Sequence, residues 1–340
     1  MDKVVLEGGA SVDTSEQTDD PLFKLVKNTK GVTCITKYNF LNRDILIFSE
    51  IHTPSASRDL ISDNENFPNT LVNILTKYPN SVFLIELNPL LLNIDNVPLT
   101  GSWNMDKSIE LLSANQQKQK IIGYDKRLSI FSRINISELN SLDPMRAGQD
   151  PRQLWQKINR ILYHGNQLKL EFFSSENFYN FVKILFINPI LLYVEHKRQL
   201  YMLNHEKYNF IFTQMIGGTQ DARPSAGHPL TAAPPQGSIL SDLDHIDTIS
   251  KYILGIYKNN CKTCKKNSVM CSRCTMTKNA AVDDLINVIR DMYKKTCEIE
   301  SLDIIQSGDP DTLYVILTGD MHGKNWQAIL HDSIEWTEIK

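Results

Sequence analysis

The sequence predicts an α/β protein built on a mainly parallel central sheet flanked by helices, with a helical insertion and a small four-cysteine zinc knuckle. Three observations carry this expectation. Short apolar runs of the buried-strand type recur at Asp44–Phe48, Ser81–Glu86, Gln119–Tyr124 and Leu313–Leu317. Helix-length segments at Asn69–Tyr78 and Met105–Ala114 separate the first three of them, the spacing of β-α-β units. Late in the chain, two Cys-x2-Cys pairs stand six residues apart.

Residues 1–20 are rich in Gly, Ser, Thr and Asp without any period and read as a disordered tail. A single domain is expected over residues 21–340. Its first strand is expected in Gly31–Lys37, followed by the DILIF run and a turn at Pro54–Ser55. Residues 150–215 change character and read as a helical insertion, with helical spacing at Leu154, Ile158, Ile161 and Leu162 and again at Phe178, Phe181, Val182 and Leu185. Residues 217–238 form a long loop rich in Gly, Pro and Ala, expected to be flexible or functional. Helices are expected at Ser241–Lys258 and Ala280–Ile299, on either side of a knuckle spanning residues 259–276. The closing segment is expected to be the Leu313–Leu317 strand, a turn at Thr318–Gly323 and a helix starting at Trp326–Leu330.

Bulk properties exclude some function classes. The 340-residue chain has a net charge of −3, so it lacks the broadly basic face that general nucleic-acid or membrane-surface binding needs. The longest apolar stretch, Ile184–Val194, is short for a bilayer span and holds Asn188 and Pro189. No basic-then-apolar leader opens the sequence. An intracellular location is expected, and with it reduced cysteines rather than disulfides.

The chemistry-bearing residues gather at the predicted strand ends. DILIF runs into Ser49-Glu50-Ile51-His52, SVFLI into Glu86, QKIIGY into Asp125 and Arg127, and LYVIL into Asp320 and His322. In open parallel sheets, ligands bind in the crevice beyond the carboxyl ends of the strands. Glu50, His52, Glu86, Asp125, Arg127, Asp320 and His322 are therefore expected to line one polar pocket. Such a set could hold a divalent metal through mixed nitrogen and oxygen ligands. It could equally act without one, a histidine serving as general base beside a carboxylate and Arg127 clamping an anion. Each residue alone has a plainer reading, as a solvated loop residue or a helix cap.

The run Cys261-x2-Cys264-x6-Cys271-x2-Cys274 supplies four thiolates, which complete a tetrahedral Zn2+ with no open position and so mark a structural site. Lys262, Lys265, Lys266 and Arg273 would offset its charge. Free thiols are the alternative. His164, His196 and His205 read as surface or satisfied core histidines, because Glu195-His196 and His205-Glu206 lack metalloprotease spacing. The acids of Ser241–Asp247 read as a helix N-terminus capped by Ser241. No phosphate-binding glycine loop, dinucleotide fingerprint or serine-hydrolase elbow is present in the sequence.

The SEIH segment, the strand-ending Glu86, the GYDKR stretch and the late GDMHG together resemble motifs of the Tiki/TraB/ChaN/erythromycin-esterase-like superfamily. The resemblance is nearest to uncharacterised members carried by large DNA viruses, and it covers the N-terminal third and the last thirty residues. One departure is Ser49, where the family motif has glycine. The superfamily includes a metal-dependent protease of Wnt proteins, macrolide esterases and a haem-binding lipoprotein. The resemblance thus implies a hydrolase-like protein using Glu50, His52, Glu86 and His322, with Asp125 and Arg127 as a looser match, acting on a small molecule or peptide. The alternative is a non-catalytic viral interaction or virion protein. It would keep the pocket as a relic or ligand site and bind a protein partner through the knuckle and the 217–238 loop, with nucleic acid disfavoured.

Overall fold

The computed structural model describes residues 19–51, 65–89, 92, 102–131, 175–217, 237–258, 261–267 and 271–340. His52, the Pro54–Ser55 turn, most of the predicted tail, residues 150–174 of the predicted insertion and residues 218–236 of the long loop lie outside these.

In chain order the elements are α1 (Pro21–Val26), β1 (Cys34–Phe40), β2 (Arg43–Glu50), α2 (Phe67–Lys77), β3 (Ser81–Ile85), α3 (Trp103–Ala114), β4 (Ile121–Gly123), α4 (Arg127–Phe131), α5 (Ser175–Val182), α6 (Asn188–Leu203), α7 (His205–Phe210), α8 (Ile239–Lys258), α9 (Lys262–Asn267), α10 (Ser272–Ser307), β5 (Leu313–Gly319), α11 (Asp320–Ile329) and β6 (Ile334–Ile339). Turns of π-helix at Lys183–Ile187 and Ile211–Ile216 continue α5 into α6 and follow α7. The chain divides into two compact units, Met1–Tyr124 with Gly308–Lys340, and Asp125–Ser307.

The first unit is a six-stranded mixed sheet in the order β4-β3-β5-β2-β1-β6. β4, β3, β5 and β2 pair in parallel, while β1 is antiparallel to both β2 and β6. The parallel strands are the apolar runs of the sequence, and β5 is buried along its whole length, as a central strand covered on both faces must be. Alternation sends Leu46 and Phe48 of β2, Phe83 and Ile85 of β3, and Val315 and Leu317 of β5 into one core with α2 and α3. Phe67 is its keystone, with ring centroids 4.8 Å from Phe48 and 6.1 Å from Phe83.

Several boundaries differ from the sequence expectation. The first strand runs Cys34–Phe40 rather than Gly31–Lys37 and joins β2 through the two-residue turn Leu41-Asn42. Both turn residues have positive φ (53° and 59°), the hairpin geometry that Asn-Gly ordinarily supplies. Leu41 disguises that signal. The expected Thr318–Gly323 turn does not form: β5 extends to Gly319 and α11 begins at Asp320. Neither α1 nor β6 was expected. Asp20, at the end of the predicted tail, caps α1 by accepting from the Leu22 N–H (2.6 Å), and its other oxygen accepts from Trp336 Nε1 of β6 (2.9 Å).

The second unit is helical. Here α5 and α10 both pack against α8. α10 spans 36 residues, roughly 54 Å at 1.5 Å per residue. It starts inside the cysteine cluster and runs beyond Ile299, longer at both ends than its apolar period suggested. Its late segment, Thr296 to Leu302, is buried on every side. α8 is capped by Ser238, whose Oγ accepts from the Ser241 N–H (3.3 Å), so Ser241 is not the cap. Gly217 ends the second π-helical turn at φ 104°, a left-handed conformation that suits glycine. The helical run Phe178–Leu203 is long and apolar enough to cross a membrane by length and composition, contrary to the expectation from Ile184–Val194 alone. Yet 61% of its apolar window is buried inside the protein, as in a core helix.

Candidate functional site

Topology singles out the carboxyl edge between β3 and β5. From β3 the chain continues through α3 to β4 on one side; from β5 it continues through α11 toward β6 on the other. Neighbouring parallel strands whose connections depart in opposite directions leave a crevice at their carboxyl ends. Glu86 follows β3, and His322 lies in the first turn of α11 after β5. Their side chains meet there, with His322 Nε2 3.6 Å from Glu86 Oε1. This is longer than a hydrogen bond, and it becomes an ion pair only when the imidazole is protonated. Both side chains are nearly buried, 10% and 12% exposed.

Gly323 sets the height of this histidine. A Cβ there would collide with Ser49 Oγ, so the glycine lets the first turn of α11 press directly onto β2. The Gly-Asp-x-His-Gly pattern thus has a packing reason for its last glycine.

Glu50 goes elsewhere. By strand alternation it continues the Leu46–Phe48 face, toward α2 and α3, whereas Ser49 points at α11. Only 1% exposed, the Glu50 carboxylate accepts from Ser102 Oγ and from Asn104 Nδ2 (2.5 Å). Ser102 also caps α3 through the Met105 N–H (3.3 Å), and Asn104 donates a second time to Gly31 O (2.8 Å). The N-terminal end of α3 therefore supplies both donors and a favourable dipole to a charge that would be costly to bury alone. Sequence reasoning missed Ser102 and Asn104. Their only signal is a serine placed where an N-cap belongs, ahead of the helical period.

The remaining predicted site residues are distributed. Thr33 Oγ1 holds Asp320 Oδ1. Asp125 and Arg127 open the second unit and bind each other in a fork, with Nε to Oδ1 and Nη2 to Oδ2 both 2.8 Å. The Arg127 N–H also donates to Asp125 Oδ1 (2.9 Å). His52 lies outside the described residues. The structure thus brings Glu86 and His322 together, turns Glu50 to the other face, and ties Arg127 to its own neighbour rather than leaving its fork open for an anion. A groove of about 790 Å3 opens at the opposite edge of the sheet, among Asp20, Lys37, Tyr78 and Asp311. Lys37 there is already engaged by Asp20, Asp44 and Glu335, and the groove lining holds no histidine or thiol.

The four knuckle cysteines converge as expected. Their sulfurs all lie within 4.8 Å of one another, the one group of three or more potential metal ligands among the described residues. Cys261 and Cys271 Sγ are 3.8 Å apart, which is the edge of a tetrahedron whose metal–sulfur bonds are about 2.3 Å. The Cys264 N–H and thiol, then the Thr263 N–H, hydrogen-bond to Cys261 and hold its thiol at about 6. Hydrogen bonds to Cys271 and then Cys264 push Cys274 up to about 12. Four crowded thiols cannot all ionise without a cation among them. The donor set fits a structural metal site.

No family model matches the chain, and neither a curated protein nor a solved structure shows significant similarity to it.

Proposed function

We propose that the chain is a hydrolase of the Tiki/erythromycin-esterase type, acting at the β3/β5 crevice on a small molecule or peptide. The observation that carries this reading is the nearly buried Glu86–His322 pair at the topological switch point. His322 serves as the general base that takes a proton from the attacking water, and Glu86 orients the ring and stabilises the imidazolium that forms. Glu50 is a positioning residue that ties the end of β2 to α3. A screen of ester and peptide substrates, comparing wild type with His322→Ala, tests the proposal. Hydrolysis lost in the variant supports it; absence of hydrolysis, or equal activity in the two proteins, overturns it.

The second part of the proposal concerns the metal. Zn2+ is the ion that suits four thiolates at this separation. Bound by Cys261, Cys264, Cys271 and Cys274, it would fasten α9 to the start of α10 and supply structure rather than catalysis. Elemental analysis of the purified protein checks this: about one zinc per chain is expected, and a metal-free protein contradicts it.

A further inference from the structure

The second unit contains a cavity of about 170 Å3 between α4, α6 and α10. One wall is charged. Lys197 on α6, only 3% exposed, donates to Glu300 Oε1 (2.9 Å) and Asp303 Oδ2 (3.1 Å) on α10. Lys126, at the rim and 44% exposed, donates to the other oxygen of Glu300 (2.5 Å). The lining also includes apolar Ile130, Pro189 and Leu200 and polar Ser129 and His196. The α6 wall follows directly on the π-helical turn Lys183–Ile187, an irregularity that occurs often at functional sites.

Burying these ions is costly, and apolar side chains of similar size would fill the space at least as stably. The hydrogen-bond balance shows what the wall still offers. Each ammonium carries three protons; the carboxylates take two from Lys197 and one from Lys126. Glu300 is served by a lysine on each oxygen, and Asp303 by Lys197 and, at 3.4 Å, by Ser307. Burial, and then the Glu300 charge, keep the neighbouring Tyr193 phenol protonated. The unspent capacity is therefore in donors. The formal charges of Lys126, Lys197, Glu300 and Asp303 sum to zero. A cavity of this size takes about eight heavy atoms at interior packing density.

We propose that this cavity is a binding site for a short-chain aliphatic carboxylate, with the acid group at Lys126 and Lys197 and the chain against Ile130, Pro189 and Leu200. The site is independent of the β3/β5 crevice and of any reaction there.

Isothermal titration of the full-length protein with hexanoate and with 1-hexanol tests it. Hexanoate is expected to bind at one site, at least tenfold more tightly than hexanol. Lys126→Gln, at the exposed rim, should weaken hexanoate about tenfold, the scale of one charge-assisted hydrogen bond. Leu200→Trp should fill the cavity and abolish binding. If that variant fails to fold, Lys126→Gln decides. Absence of hexanoate binding, equal affinity for hexanol, or unchanged affinity in a folded Lys126→Gln or Leu200→Trp protein would each overturn the proposal.

Discussion

The cysteine knuckle and the strand-end pair bring chemistry together by opposite means. The knuckle takes its four side chains from one short stretch, Cys261 to Cys274, and local hydrogen bonds hold the sulfurs at metal-binding separation. Glu86 and His322 come from distant parts of the chain and meet only because β5 inserts between β2 and β3. A local site can be read from spacing. A topological site can be read only as far as strand order can be read, and strand order is set by pairings between distant segments.

The largest effect is expected at the knuckle, where breaking the local geometry should leave the distant pair intact. Cys264→Ser should drop bound metal from about one equivalent to almost none, checked by elemental analysis, while any hydrolysis at Glu86–His322 stays within a fewfold of wild type. Metal affinity should also fall as pH drops, because binding displaces protons from the raised Cys264 and Cys274 thiols and, below about 6, from Cys261 as well. A zinc titration at pH 7.5 and pH 5.5 reads this directly. Pocket and knuckle losing function together would break the comparison.

At the crevice, His322→Ala should lower hydrolysis at least a hundredfold, the usual scale for losing a general base, with metal content unchanged. The next effect separates the two faces of the sheet edge. Asn104→Ala removes a donor from the buried Glu50 carboxylate and should cost about 1–3 kcal/mol of stability, read by urea denaturation. The smallest effect lies at Asp20. Burial opposes its charge, but hydrogen bonds from Trp336, the Leu22 N–H and Lys37 outweigh burial and hold the carboxyl below its ordinary value. A lowered carboxyl contributes stability above its unfolded value of 3.8 and loses it as pH falls through the folded one. Asp20→Asn should therefore destabilise by about 1–2 kcal/mol at pH 7, with the gap to wild type closing below pH 3.8.

Much of the parallel sheet was legible because buried strands are apolar without alternation, and DILIF, SVFLI and LYVIL are nearly so. The antiparallel edge was not. β6 (IEWTEI) has exposed and half-buried positions that resemble a polar tail, and the β1–β2 hairpin turns on Leu41 rather than glycine. Asp20 looks like the last residue of a disordered segment; its role depends on Trp336, whose position only the folded sheet defines. Of the candidate site, the titratable residues at the strand ends were visible, but their grouping was not. A register of two sends Glu50 and Ser49 to opposite faces, and which face a helix covers depends on strand order. The Arg127 fork to Asp125 was hidden for the opposite reason. Residues two apart were close enough to pair, and that local choice competes with any ligand.

The central claim is that Glu86 and His322 form the reactive pair while Glu50 only positions the strand end. The most direct test measures hydrolysis of one cleaved substrate by wild type, His322→Ala and Glu50→Gln at equal folded fraction. The account predicts a loss of at least a hundredfold for His322→Ala and retention within about tenfold for Glu50→Gln, the scale of a lost positioning contact. Equal and severe losses in both variants, or none in His322→Ala, would contradict it.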